Sequence, residues 1–176
     1  MALSAFVLAE YLLQRPPFGG WSDVRAVDLG SGTGVVGIAL ALAGADVVLT
    51  DLPHVTPLTQ RNVDANCRQH RCRAQVVDYA WGESLAPLGP KPDLITGADV
   101  VYQQEHFEAL TDTICRLSDS HTLTYLAFRK RGRREHVFEE LLEQRGLAVV
   151  TIPKQYLHEE YRDGDYKLLR ICKLGP

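Results

Sequence analysis

Neither sign of charge dominates this chain. Nineteen Lys+Arg stand against 22 Asp+Glu, a formal net charge of −3 over 176 residues. A protein whose main partner is a phosphate backbone is usually strongly basic, so nucleic acid is disfavoured. Cysteine is sparse too. Cys67, Cys72, Cys115 and Cys172 contain no C-x-x-C pair, and Cys67–Cys72 has no second pair to complete a zinc site. No metal is expected. Four cysteines in a chain of this length need no disulfide framework, which points to a reducing setting, the cytoplasm first and the nucleus second. Long apolar runs are missing as well. Met1–Leu13 has no positive leader, carries Glu10 and is too short to span a bilayer. It reads as a first helix ended by Arg15-Pro16-Pro17, because the residue before a proline avoids the helical region. A soluble chain with no membrane partner is the expectation. There is no G-x-S-x-G and no P-loop, which leaves hydrolase and kinase readings without support. None of the six histidines has a metal-ligand spacing.

What is present is an ordinary globular mixture, 45% hydrophobic and 23% charged, of one-domain length. Residues 1–176 are read as one domain, with a helix and linker over residues 1–20. Short β-rich runs alternate with helical stretches. Val24–Leu29, Asp46–Asp51, Ala74–Tyr79, Asp93–Ala98 and Leu123–Phe128 read as strands. Between them, Val35–Ala43 (closed by Gly44), Pro57–Gln69 and Glu105–Leu117 read as helices, and Glu135–Arg145 follows the fifth strand. Leu147–Ile152 and Lys167–Cys172 read as an antiparallel hairpin with a charged tip at Tyr161–Asp165 and no helix between them. The alternation predicts an α/β fold, Rossmann-like and doubly wound, with a mostly parallel seven-stranded sheet and a C-terminal antiparallel hairpin. Ligands in such sheets lie beyond the carboxyl ends of the strands at the switch point, so the segments after Leu29, Thr50, Tyr79 and Gly97 are the ones to inspect.

After the first strand comes Asp28-Leu29-Gly30-Ser31-Gly32-Thr33-Gly34-Val35-Val36-Gly37. Gly32, Gly34 and Gly37 fit the GxGxxG of dinucleotide enzymes, a weak signal alone. Asp28 ahead of Gly30, Gly32 and Gly34 fits the D/E-x-G-x-G-x-G of S-adenosylmethionine enzymes. The acid decides between them: a carboxylate at the mouth of the loop suits an ammonium and a sulfonium and repels a pyrophosphate. The bland alternative is a glycine-rich turn without a ligand. Asp51, 21 residues after Gly30, stands where an acid takes ribose hydroxyls, or caps the following helix. Trp81 offers an indole to an adenine face, or is a plain core tryptophan. Asp99 and Tyr102 overhang the same end of the sheet. A carboxylate there can hold a cationic amine and a tyrosine can offer a ring, unless the pair is a helix cap and a half-buried aromatic. Valines at 100 and 101 replace the prolines of the N/D-P-P-Y run, which removes support for a planar amide or base substrate. The one basic cluster, Phe128–Arg134, reads as a solvated loop, with an acidic protein surface or RNA as the alternatives.

Together, Asp28–Gly34, Thr50–Pro53, Asn62–Asn66, Trp81-Gly82 and Gly97–Tyr102 resemble the seven-β-strand, S-adenosylmethionine-dependent protein lysine methyltransferases with a DxxY motif, over nearly the whole chain. Ile152-Pro153 and His158–Arg162 resemble the branch acting on the AAA ATPase valosin-containing protein. Thr50–Pro53 and Tyr125–Lys130 resemble the branch acting on a translation elongation factor. The resemblance implies methyl transfer from S-adenosyl-L-methionine, released as S-adenosyl-L-homocysteine, to the side-chain amine of a lysine in a protein. It implies an AAA ATPase, chaperone or elongation factor as substrate, and a monomer. Carried over by position, Asp28 and Gly34 belong to the cofactor loop, and Gly30, Ser31 and Gly32 contact the methionine and ribose part. Asp51 takes the ribose hydroxyls, Trp81 the adenine and Ala98 a main-chain contact, while Asp99 and Tyr102 line the lysine channel. Family members usually carry a glycine and then a tryptophan just upstream of the first helix. This sequence begins at Met1-Ala2-Leu3-Ser4, inside that helix, and Trp21 lies too far downstream to substitute. The expectation is that other residues supply that wall, or that the chain is a shortened form, with cofactor affinity at stake. The rivals are a non-catalytic methyltransferase-like binding module, an NAD-dependent oxidoreductase and, more weakly, an RNA methyltransferase.

Overall fold

The computed structural model describes residues 3–70, 72–130, 132 and 134–173. It begins with α1 (Leu3–Gln14) and continues β1 (Arg25–Leu29), α2 (Val35–Ala43), β2 (Asp46–Asp51), α3 (Thr56–Cys67) and β3 (Arg73–Asp78). The second half runs β4 (Leu94–Ala98), α4 (Phe107–Leu117), β5 (Leu123–Arg129), α5 (Glu135–Gln144), β6 (Leu147–Thr151), α6 (Glu159–Arg162) and β7 (Tyr166–Lys173). The seven strands form one sheet in the order β3-β2-β1-β4-β5-β7-β6. β7 is antiparallel to both β5 and β6, and the other pairings are parallel. This is the Rossmann-like architecture that the alternation predicts.

The strands read as continuous apolar runs because both faces of the sheet are covered. Successive residues go to opposite cores: Val47 and Leu49 of β2 and Tyr125 and Ala127 of β5 face one, Val48, Leu126 and Phe128 the other. The first core is closed by α1, α2 and α3, with Val7, Leu8 and Leu12 of α1 and Trp21 buried in it. The second is closed by α4 and α5, where Phe107 meets Phe138 edge-on with centroids 5.3 Å apart. Such a pair contributes about 0.5–1.5 kcal/mol beyond its area. Gly44 ends α2 in the left-handed conformation at φ 116°, donating its N–H to the Leu40 and Ala41 carbonyls.

The C-terminal hairpin differs from its sequence reading. β6 and β7 do pair antiparallel, but a 3₁₀ turn at Lys154–Tyr156 and the single turn of α6 lie between them. His158 caps α6, its Nδ1 accepting the Glu160 N–H at 3.4 Å. One turn is too short to show a helical period in sequence.

The strand order reverses between β1 and β4, so their carboxyl ends diverge around a crevice. The register brings Leu29 beside Thr50, and Asp51 beside Asp78. Among the described residues, no helix is long and apolar enough to cross a membrane and no cluster of His, Cys, Asp and Glu is arranged to hold a metal.

Candidate active site

Two adjoining cavities open at the switch point. The larger, about 440 Å³, lies between the end of β2 (Asp51, Leu52), the β3 exit (Tyr79, Ala80, Trp81) and the β4 exit (Ala98, Asp99, Tyr102). The smaller, about 190 Å³, is walled by Ser31, Gly32 and Val36 of the glycine loop and α2, and by Ala5 and Phe6 of α1. Gly30 and Ala98 line both.

The loop that separates them is shaped by the absence of side chains. Gly30 has φ 63°, and a Cβ there would stand 2.8 Å from Val100 Cγ1 and 3.1 Å from Trp81 Cζ2. Gly37 lets α2 press onto β2, where a Cβ would meet Leu49 at 2.6 Å. Ser31 donates its N–H to the Thr50 carbonyl at 2.8 Å, while its buried hydroxyl has no partner among the described residues. A buried hydroxyl without a partner is costly, so this one, at the wall of the smaller cavity, fits a polar ligand group there.

Asp28 does not stand at the mouth of the loop. It is 2% exposed, at the back of the smaller cavity, with Oδ2 accepting the Gly37 N–H at 3.1 Å and Oδ1 the Thr96 hydroxyl at 2.8 Å. Burial pushes its carboxyl up to about 6, against the pull of those two hydrogen bonds, and the nearby Asp51 charge adds to the rise. The charge therefore binds α2 to β1 and β4 and acts on the cavity through its wall.

Asp51 reaches back to the loop: Oδ2 accepts the Gly32 N–H and Oδ1 the Leu52 N–H, each at 2.8 Å. It does not cap α3, whose N-cap is Val55. Each oxygen keeps a second lone pair for a ligand hydroxyl. Trp81 is half-buried on the cavity wall rather than a core residue, with the His106 ring against it at 6.2 Å in an edge-on arrangement.

Asp99 and Tyr102 share the larger cavity with Asp51 and Trp81. Asp99 does not cap the 3₁₀ turn Gln104–His106, whose N-cap is Gln103. It has φ 55°, a left-handed conformation that aspartate tolerates better than most residues, and its N–H is held by the Ala127 carbonyl at 2.8 Å. Its Oδ1 accepts the Ser4 hydroxyl at 2.8 Å and the Arg129 N–H at 3.4 Å. Tyr102 is 40% exposed at the rim. Gly34, at φ 83°, is the N-cap of α2.

Sequence reasoning missed Ser4, Phe6 and His106. Nothing local marks them, since Ser4 and Asp99 are 95 positions apart and His106 sits in an irregular turn. Of the basic cluster, Arg131 and Arg133 lie outside the described residues, while Arg129 is exposed with Asp165 at 4.0 Å.

Fold and site together define a class: the Rossmann-like architecture of S-adenosylmethionine-dependent methyltransferases. A TehB-like SAM-dependent methyltransferase from Corynebacterium glutamicum superposes with a TM-score of 0.72 at 20% identity, covering 94% of this chain and 86% of that one. Magnesium protoporphyrin IX methyltransferase from Synechocystis, with bound SAM, does so at 0.68 and 19%, covering 98% and 79%. Within that class the family is narrower. A family model described as lysine methyltransferase matches residues 3–145, and the chain belongs to that family. It is similar to protein N-lysine methyltransferase METTL21A of Danio rerio, 44% identical over 124 residues, 69% of this chain and 56% of the relative. The METTL21A of Mus musculus is 39% identical over 146 residues, 80% and 65% of the two chains. EEF1A lysine methyltransferase 3 of Mus musculus is 39% identical over 122 residues, 68% and 52%. The chain thus spans between about half and two-thirds of the length of these curated relatives.

Proposed function

We propose that this chain transfers methyl groups from S-adenosylmethionine to the side-chain amine of a lysine in a protein substrate. One observation carries the reading: a carboxylate and a tyrosine, Asp99 and Tyr102, line the same cavity as the glycine loop, Asp51 and Trp81. The buried Ser31 hydroxyl on the wall of the smaller cavity, without a partner among the described residues, is what a polar group of a bound cofactor would satisfy.

Gly30, Ser31, Gly32 and Gly34 would hold the methionine and ribose part through main chain and the Ser31 hydroxyl. Asp51 would take the ribose hydroxyls, Trp81 the adenine face and Ala98 a main-chain contact, with Asp28 adding negative potential from behind the loop. When bound, the cofactor supplies a methyl group already activated on a sulfonium. The remaining work is placement. Asp99 attracts the lysine ammonium, and Asp99 and Tyr102 orient the amine once it is neutral. A lysine of ordinary pKa, about 10.4, is protonated at neutral pH and must first lose that proton, which goes to water. Partial burial in the channel favours the neutral amine.

The similarity to METTL21A and to an EEF1A methyltransferase supports a protein substrate, with an elongation factor, a chaperone or an AAA ATPase as the classes to try. A monomer in the cytoplasm, with the nucleus as a second location, completes the proposal. Calorimetric titration with S-adenosylhomocysteine beside NAD tests the cofactor class: binding of the first alone is expected, and binding of NAD alone, or of neither, overturns the reading. Label transfer from tritiated S-adenosylmethionine into cell extract, found on lysine after hydrolysis, tests the acceptor.

A further inference from the structure

We propose that Ser4 on the N-terminal helix is a positioning residue for Asp99, which makes α1 a working wall of the amine site. The inference rests on the reading of Asp99 as the group that meets the lysine amine. Ser4 is fully buried on a helix stripe otherwise formed by Val7, Leu8, Ala9 and Leu12. A hydroxyl on such a stripe is unfavourable unless it is paired. Its partner is Asp99 Oδ1, 2.8 Å away and 95 positions along the chain.

The pairing determines something the backbone leaves open. The Asp99 main chain is held by its φ of 55° and by the Ala127 carbonyl. The last torsion of an aspartate, in contrast, is broad and nearly twofold. The Ser4 hydroxyl and the Arg129 N–H both reach Oδ1, from α1 on one side and the end of β5 on the other. Together they select one orientation of the carboxylate plane at the cavity.

The helix is itself secured at the far end. Glu10 faces His158 at 3.5 Å, and the Arg15 guanidinium lies over the rings of Tyr11 and Tyr156 at 5.7 and 5.8 Å. Beside Ser4, Ala5 and Phe6 line the smaller cavity, so one helical turn faces the cavity of the glycine loop and bonds the candidate catalytic acid.

The test compares Ser4→Ala and Ser4→Thr with Asp99→Ala in the full chain, by three readouts. These are S-adenosylhomocysteine affinity by calorimetry, tritium transfer into a methylation-depleted cell extract, and n-butylammonium affinity for the S-adenosylhomocysteine complex from the amide shifts of Asp99 and Tyr102. Ser4→Ala is expected to hold S-adenosylhomocysteine affinity within about threefold. It should lower transfer and n-butylammonium affinity about tenfold, the loss of one hydrogen bond to a charged group. Ser4→Thr, which retains the hydroxyl, should regain most of both. The proposal fails if Ser4→Ala matches wild type while Asp99→Ala loses transfer and amine binding. It also fails if Ser4→Ala loses S-adenosylhomocysteine affinity in the same proportion as transfer, since the helix would then only support the fold. Wild-type behaviour of Asp99→Ala would instead overturn the reading of Asp99, and Ser4 would fall with it.

Discussion

Asp28→Asn asks whether a buried charge is kept for the ligand or for the fold. The wild-type carboxylate is 2% exposed and pushed up to about 6 from 3.8, chiefly by burial. At about 1.36 kcal/mol per pKa unit, that displacement costs the fold about 3 kcal/mol when the group is ionised. Asparagine fits the same partners. Its carbonyl accepts the Gly37 N–H, and its amide donates to Thr96, whose hydroxyl can accept as well as donate. The displacement to about 6 is already net of the hydrogen bonds to the ionised group, so the variant should be more stable by up to about 3 kcal/mol near pH 7.5. The pH dependence has a definite sign. Because the folded pKa is raised, the stability Asp28 contributes is fully present below 3.8 and is lost as pH rises through about 6. The advantage of Asp28→Asn should therefore shrink between about pH 7.5 and about pH 4.5. Urea unfolding of both proteins across that range measures it. In the same samples, S-adenosylhomocysteine affinity near pH 7.5 should fall about tenfold, since the wall of the smaller cavity has lost its negative charge. A stability difference that does not change with pH, or an asparagine variant less stable at pH 7.5, would refute the reasoning. The first result would mean that the ionised hydrogen bonds to Gly37 and Thr96 balance the burial of the charge, and the second that they outweigh it.

Asp51→Ala removes the acceptor of the Gly32 N–H and should weaken S-adenosylhomocysteine binding about ten- to hundredfold by calorimetry. Asp99→Ala should abolish transfer of tritiated methyl while holding S-adenosylhomocysteine affinity within a few-fold. Gly30→Ala forces a methyl to within 2.8 Å of Val100 and 3.1 Å of Trp81 at φ 63°. Left-handed strain and overpacking together cost about 2–4 kcal/mol, so a thermal melt should show clear destabilisation. Survival of that melt unchanged would mean that the Gly30 turn is not as tight as its contacts indicate.

The sheet and its crevice are legible in the sequence because each strand is buried on both faces and each helix on one, which leaves unbroken apolar runs alternating with helical spacing. Asp28, the glycines, Asp51, Trp81, Asp99 and Tyr102 could be placed at one end of the sheet because each follows a strand whose direction the alternation predicts. Which way each side chain turns was decided only by tertiary packing. Asp28 expected at the mouth is buried because Gly37 leaves room for α2 to approach and Thr96 supplies a donor from the neighbouring strand. The turn of α6 was invisible because four residues carry no period. Ser4 was invisible for a different reason. Local sequence describes the stripe that buries it, but the partner that makes a serine tolerable there is brought by the sheet from 95 positions away, and no spacing rule reaches that far.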